Sequence, residues 1–335
     1  MARKKEAKKA AKREPIVLGI ESTAHTLGIG IVKGGKVVAN EKSMLFEYGI
    51  HPRKTADHHA DVFSEVLGSA LQKAKVKLRD IDLVAFSQGP GIGPCLRISA
   101  VAARTLAIQH GKPVVGVNHC VAHIEISKHF TGFKDPLVLY VSGGNTQILV
   151  KEKSRYRILG ETLDIGIGNM LDNFARSIGL KNAREVEEHA AKASEYIPLP
   201  YSVKGMDASF SGILTQARKL WNGKNTNDLC YSMQETAYAS LCEISERALA
   251  LTGKKEVVIC GGVAQNRRLQ GMLDEMSKEW NCKFGVAPNE FNADNGGMIA
   301  YTGHLMMKGG NVKKNSLAPD RIVPIPKYRT DEFEI

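Results

Sequence analysis

His119 and His123, four residues apart in the stretch NHCVAHIEIS, are the pair in this sequence best spaced to share one cation. On a helix, side chains at i and i+4 lie on one face, so both imidazoles can ligate the same ion. The apolar and β-branched neighbours leave a competing reading, two histidines packed in a core. The zinc-protease motif H-E-x-x-H places its general base directly after the first histidine. Here that position is Cys120, and Glu125 lies two residues beyond the second histidine, so peptide cleavage lacks its base. A third ligand must come from elsewhere, and Asp294 in FNADNGGMIA, a polar turn entering a helix, is the candidate. Two imidazoles and one carboxylate suit iron, zinc or manganese. A second cluster, His58 and His59 in ADHHA, sits at a helix start and reads as a capping or structural feature.

Four turns rich in glycine or small residues each follow an apolar run: GIESTAHT (19–26), SQGPGIG (87–93), VSGGNTQ (141–147) and CGGVAQN (260–266). Glycine lets backbone N–H groups face an anion with no Cβ in the way, and a following helix adds its positive end. One such turn means little, because glycine at strand ends is common for steric reasons. Four of them point to a nucleotide or phosphoester cleft. None fits G-x-x-x-x-G-K-[ST] and none opens a Rossmann unit with G-x-G-x-x-G, which disfavours an ordinary P-loop ATPase or dinucleotide dehydrogenase. Acidic residues able to complete a cleft are Glu21, Asp172, Glu187 and Asp294. Glu21 sits at a strand end beside Thr23 and Thr26, placed to orient a water or metal. Asp172, in GIGNMLDNFAR, falls on a helix with Met170, Leu171 and Phe174 as apolar neighbours, and a solvated helix carboxylate is its plainer reading. For Glu187, in the charge-rich REVEEHAAK, that plainer reading is stronger still.

Positioning these groups requires a particular order of elements. Residues 16–42 read as three strands, the last two joined at Gly34–Gly35. A helix over 58–76 carries Val62, Val66, Leu67 and Leu71 on one face. IDLVAFSQGPGIG is a buried strand running into a loop, LRISAVAARTLAIQHG a helix that stops at Gly111, and KPVVGVNH a short strand. The second half repeats this: PLVLYVSGGNTQILVKEKSRYRILGET gives three strands, helices follow near 168–179, 184–194 and 228–252, and KEVVICGGVAQN is again strand and turn. The duplicated β-β-β-α-β-α pattern predicts two similar α/β lobes around a cleft, spanning 15–135 and 136–310. A basic stretch, 1–14, precedes them, and a Pro- and charge-rich extended tail, 311–335, follows.

Composition sets outer limits. A chain of 335 residues is long enough for two lobes, and 43% hydrophobic with 24% charged residues is ordinary for a soluble globular protein. The cysteines (Cys95, Cys120, Cys230, Cys242, Cys260, Cys282) form no C-x-x-C pair and read as reduced packing residues. No uncharged apolar run approaches the ~20 residues that cross a bilayer, and the charged start is unlike a secretion signal. The cytoplasm is the expected compartment, with no membrane partner. Net charge is +11, and residues 1–14 hold seven Lys/Arg against two Glu. Such a stretch is either an arm drawn to phosphates or a solubilising tail, while the basic body points to a polyanionic partner.

In order and spacing, GIESTAHTLGIGIV, HPRKTADHH, QGPGIGPCLRIS, NHCVAHIE, LYVSGGNTQ, KGMDASFSG, CGGVAQNRRL and ADNGGMIA resemble the universal tRNA threonylcarbamoyladenosine-forming family. Its bacterial member is called TsaD, and its archaeal and eukaryotic member is the catalytic subunit of the KEOPS complex. The likeness runs over nearly all of 15–331, and GIESTAHTLGIGIV and PKYRTDE are similar to the archaeal/eukaryotic branch. The resemblance implies an α/β fold of two duplicated actin-like ATPase or sugar-kinase (ribonuclease H-like) lobes around a nucleotide cleft. It implies an acyltransferase that moves a threonylcarbamoyl group from threonylcarbamoyl-AMP to N6 of the adenosine 3′ of the tRNA anticodon. It implies metal ligands at His119, His123 and Asp294, with Tyr140 a fourth near the substrate. One divalent ion per subunit goes with them, iron first, with zinc or magnesium as alternatives. An ATP/AMP-type nucleotide would meet Tyr140, Ser142, Gly143, Gly144, Asn145, Thr146, Asp172, Glu187 and Asn266. The implied partners are tRNA and, within KEOPS, a small atypical kinase, a dimerisation subunit and an accessory subunit. The sequence up to Ile335 holds no kinase motif, so the kinase is expected as a separate polypeptide.

Two positions depart from the family pattern. Members carry Gly-Gly-Pro before the glutamate that aligns with Glu187, whereas this chain has Asn182–Ala183–Arg184, and Ser22 stands where glycine is common. Acyl transfer from a mixed anhydride already has a good leaving group. The protein need only hold the donor, polarise it through a metal and place the amine. No residue is singled out as a general base. Rival readings are an ATP-dependent sugar-type kinase on the same fold, a metalloprotease without its base, and a non-catalytic nucleic-acid scaffold resting on the basic tail.

Overall fold

The computed structural model describes residues 13–45, 51–310, 312 and 316–335. The expectation for the basic stretch 1–14 therefore lies, apart from Arg13 and Glu14, outside the described residues. The first half runs β1 (Ile16–Glu21), β2 (Thr26–Lys33), β3 (Lys36–Met44), α1 (Pro52–Ala74), β4 (Leu83–Gly89), α2 (Gly93–His110), β5 (Val114–Asn118) and α3 (His119–Thr131). The second runs β6 (Leu137–Val141), β7 (Thr146–Glu152), β8 (Arg155–Glu161), α4 (Ile167–Ser177), α5 (Ala183–Ala190), a short β9 (Val203–Lys204) and β10 (Asp207–Ala208) pair, and α6 (Ser211–Leu220). It continues with α7 (Thr226–Thr252), β11 (Glu256–Cys260), α8 (Arg267–Glu279), β12 (Lys283–Val286), α9 (Asn289–Asn292) and α10 (Gly296–Lys308).

Each half builds the same five-stranded sheet. The orders are β3-β2-β1-β4-β5 and β8-β7-β6-β11-β12, with the first three strands antiparallel and the last two added in parallel. This is the duplicated α/β architecture the sequence pattern predicts. The central strands β1, β4, β6 and β11 read as near-continuous apolar runs because both faces are covered. All six residues of β1 are buried, whereas β3, at the edge, carries a mixed pattern. The sequence reading missed α6, α8, β12 and the β9–β10 pair. It also ran the helix over 184–194 too far: α5 stops at Ala190, and past the Ala191 N–H, which still donates to Glu187 O, Lys192 and Ala193 bond only three residues back, to His189 and Ala190.

Two helices cross from one sheet to the other. α3 follows β5 of the first sheet yet packs along β11, and α10, late in the chain, packs on β1, β2 and β4. Their apolar faces share one buried cluster that draws Val17 and Val115 from the first sheet and Val138 and Val258 from the second. α10 lies backbone to backbone on β2: a Cβ on Gly30 would sit 2.2 Å from the Gly297 nitrogen. Only glycines on both sides permit that approach. The expected extended tail takes a definite course. Ile325 N–H donates to Gln88 O in the first sheet, Thr330 Oγ1 donates to Gln147 Oε1 in the second, and Ile335 N–H donates to Ser154 O. Among the described residues, no helix is long and apolar enough to cross a membrane.

Candidate metal centre

The ends of the two crossing helices create the site. β5 passes into α3 without a linker, and Asn118 caps the helix by accepting the N–H groups of Cys120 and Val121 at 3.0 and 3.2 Å. A capping Asn satisfies donors that would otherwise be orphaned in the interior, and it fixes where the first turn starts. His119 is the first residue of that turn and His123 sits one turn on, their rings 4.7 Å apart in an edge-to-face arrangement. Asp294 precedes α10, whose cap, Asn295, accepts the Met298 N–H at 2.9 Å. The close packing of α10 on β2 carries Asp294 to the histidines.

His119 Nε2 and His123 Nε2 stand 3.5 and 3.2 Å from Asp294 Oδ1. One ligand atom from each of the three residues falls within 4.8 Å of the others, so the group could hold a metal ion. An ion bonded at ~2.1 Å in tetrahedral geometry separates its ligands by roughly 3.4 Å, and the two histidine–Asp294 spacings, 3.5 and 3.2 Å, are close to that. His123 Nδ1 is buried with no hydrogen-bond partner. Borderline nitrogen donors beside a hard carboxylate suit a transition ion. The residues present fit the group.

Electrostatics reinforce the arrangement. Burial opposes charge on His119, but the carboxylates of Glu21 and Asp294 outweigh it and raise the imidazole to about 9. Burial keeps His123 below its ordinary value despite its bond to Asp294. Burial likewise opposes ionisation of Asp294, yet the two imidazoles hold its carboxyl well below the usual carboxylate range. Cys120, which occupies the protease-base position, is pushed up to about 11 by burial, so it is neither thiolate nor base near neutrality. Tyr140 is buried at the end of β6, its ring 5.8 Å from that of His123, with its hydroxyl beside Cys120 and Ser142.

Glu21 is fully buried behind His119. Its Oε2 lies 2.9 Å from His119 Nδ1, its Oε1 accepts the Thr23 N–H at 2.6 Å, and Thr23 Oγ1 is 3.3 Å from the same Nδ1. The second histidine cluster is structural: His59, inside α1, reaches Ala24 O through Nε2 at 2.8 Å and so pins the same turn.

The four glycine-rich turns sit at the carboxyl ends of β1, β4, β6 and β11, the edge where open α/β sheets hold ligands. They are not alike. The 87–93 turn is filled by the protein itself: Gly91 N–H donates to Pro326 O and Ile92 N–H to Thr23 O. In the second sheet, side chains placed at Gly144 and Gly262 would meet open space. The Ser142–Gly143 turn is tied to the start of α4, where Gly168 and Asn169 donate to the carbonyls of Ser142 and Gly143 and Thr146 Oγ1 accepts the Ile167 N–H.

Asn145 reaches toward the histidines, its Nδ2 3.8 Å from Cys120 Sγ. Asp172, Glu187 and Asn266 instead lie on α4, α5 and the cap of α8. Asp172 accepts the Ala183 N–H at 2.7 Å, Glu187 accepts the Arg267 N–H at 3.2 Å, and Asn266 caps α8 through the Leu269 N–H at 3.0 Å. Where the family pattern has Gly-Gly-Pro, Asn182 caps α5 through Arg184 and Glu185. Sequence reading missed the caps Asn118 and Asn295 and the true place of Glu21. The first two carry a readable signal, an Asn directly before an apolar helix; the third depends on a contact 98 residues apart.

The family model described as "TsaD: tRNA N6-adenosine threonylcarbamoyltransferase" matches residues 35–301. The tRNA N6-adenosine threonylcarbamoyltransferase of Thermococcus sibiricus is 56% identical over 326 residues, covering 96% of this chain and 99% of that protein. A "probable bifunctional tRNA threonylcarbamoyladenosine biosynthesis protein" of Methanothermobacter thermautotrophicus is 50% identical, over 96% of this chain and 60% of its own length. Among solved structures, HypF of T. kodakarensis superposes with a TM-score of 0.67 at 15% identity, over 89% of this chain and 48% of that one, a likeness of fold alone. The family model takes in the histidine pair and the three later glycine-rich turns, and with the 56% identity it shows that the chain belongs to the TsaD family of tRNA N6-adenosine threonylcarbamoyltransferases.

Proposed function

We propose that this chain transfers a threonylcarbamoyl group from threonylcarbamoyl-AMP to N6 of the adenosine 3′ of the tRNA anticodon, assisted by one divalent ion on His119, His123 and Asp294. The observation that supports this reading is the gathering of those three side chains between two sheets, with Asn145 of the 141–147 turn reaching Cys120 next to His119. In the reaction, N6 attacks the carbamoyl carbon, a C–N bond forms, and the C–O bond to the phosphate breaks. AMP leaves with the electron pair and the amine proton passes to solvent. A divalent ion at the cluster, iron first and zinc or magnesium otherwise, would supply Lewis-acid polarisation of the donor's oxygens. Backbone groups at Gly144 and Gly262 cradle the adenylate phosphate. Asp172 and Glu187, oriented by the Ala183 and Arg267 amides, accept ribose hydroxyls, and Asn145, Asn266 and Tyr140 line the donor between them.

The partner reading goes with this proposal. A small atypical kinase, a dimerisation subunit and an accessory subunit would complete the complex; a relative named bifunctional, 60% of which this chain covers, supports only that a second activity works beside this one. The test is a reconstituted transfer with chemically made donor and two tRNAs, one carrying and one lacking the target adenosine. Modified adenosine should form only on the first. Phosphorylation of sugar-type hydroxyls from ATP, with no acylation of tRNA, would establish the kinase rival instead.

A further inference from the structure

We propose that Glu21 is a positioning residue of the transferase, holding His119 in the Nδ1–H form with Nε2 facing Asp294 and thereby setting the affinity for the divalent ion. The inference rests on the metal reading above and goes beyond its ligand set. An ionised carboxylate only accepts hydrogen bonds. With Glu21 Oε2 at 2.9 Å from His119 Nδ1, that nitrogen keeps its proton, and Nε2, 3.5 Å from Asp294 Oδ1, is the nitrogen left to release its proton and take an ion. An imidazole free to take either tautomer would present a bare Nε2 only part of the time. A carboxylate behind the ring also makes the ligand nitrogen more basic.

The turn after β1 gives Glu21 no freedom. Its second oxygen accepts the Thr23 N–H at 2.6 Å, Thr23 Oγ1 adds a contact to Nδ1 at 3.3 Å, and His59 pins Ala24 from α1. A carboxylate this buried is costly unless it is paired, and His119 is the partner the structure provides. Glu21 is fully buried behind the ring, so it cannot meet the tRNA amine or the donor. It acts through His119 and is not a catalytic residue. The same logic explains why a charged residue ends β1, a strand buried along its whole length.

The experiment uses the full chain stripped with a chelator. Zn²⁺ affinity is measured by competition with a chromophoric chelator, and the Co²⁺ absorption spectrum reports ligand geometry. Glu21→Ala should weaken Zn²⁺ by about 10–100-fold, the range for losing an outer carboxylate, and should alter the Co²⁺ bands. Glu21→Gln, which keeps shape and one acceptor, should weaken it less, and its kcat should recover at saturating ion. If Glu21→Ala does not fold, the isosteric Gln variant carries the test alone. Variants that bind Zn²⁺ within twofold of wild type, with an unchanged Co²⁺ spectrum, would overturn the proposal. His119→Ala runs in parallel: ion binding that ignores His119 removes the metal reading itself, whereas His119-dependent binding indifferent to Glu21 removes only this inference.

Discussion

The two sheets share one topology, yet the turns at their carboxyl ends have taken opposite characters. In the first, the β1 turn is packed solid: Glu21 and Thr23 hold His119, and the β4 turn spends its amides on Pro326 and Thr23. In the second, the equivalent turns after β6 and β11 each keep one glycine, Gly144 and Gly262, whose missing side chain opens onto empty space. A duplicated fold has thus divided its work. The first sheet buttresses the cluster of His119, His123 and Asp294, and the second presents bare backbone of the kind that suits a phosphate. His119 and His123 stand on α3 and Asp294 just before α10, the two helices that cross between the sheets.

Asp294→Asn tests the division most severely. Losing an anionic ligand exceeds the ~10–100-fold cost of an outer partner, so transfer should fall more than ~100-fold, while AMP binding measured by calorimetry stays near wild type. If AMP binding collapses as well, the two regions are not separable. Gly30→Ala comes next. Its Cβ would press on the Gly297 nitrogen and lever α10 off β2, at about 1–3 kcal/mol by analogy with overpacking. Urea unfolding should show that loss, with weaker ion binding beside it. Gly262→Val fills open space on the other side of the comparison. It should raise the donor KM about 10-fold, roughly 1.4 kcal/mol, and leave Zn²⁺ affinity unchanged.

The smallest effect is one of pH. Burial, with Lys308 and His129 nearby, holds His304 below its ordinary value, and both its ring nitrogens are buried without partners. The unfolded chain therefore takes up this proton first as pH falls. The stabilisation is complete above about pH 6.5 and is lost progressively below it. Urea midpoints at pH 7.5 and 5.5 should differ in that direction, and His304→Leu should flatten part of the slope.

Much of this was legible in the sequence because it is written locally. The three-strand openings of each half, Gly34–Gly35 as a hairpin, and the i, i+4 histidines all follow from period and turn chemistry. Asp294 could be nominated from its polar turn before a helix. What stayed hidden is set by tertiary contact. Nothing near residue 21 announces that Glu21 will lie against a histidine 98 positions away. The equal look of the four glycine turns concealed that one is filled by residues 325–328. α10 falls by sequence in the second half but packs on the first sheet, because glycine-on-glycine approach, not chain order, decides where it docks.

The central claim is that one divalent ion at His119, His123 and Asp294 is required for transfer. The direct measurement is to strip the purified chain with a chelator, titrate Fe²⁺, Zn²⁺ or Mg²⁺ back, and follow threonylcarbamoyladenosine on tRNA. The account predicts activity lost on stripping and restored at one ion per chain in wild type, but not in His119→Ala. Full transfer by the stripped protein would contradict it.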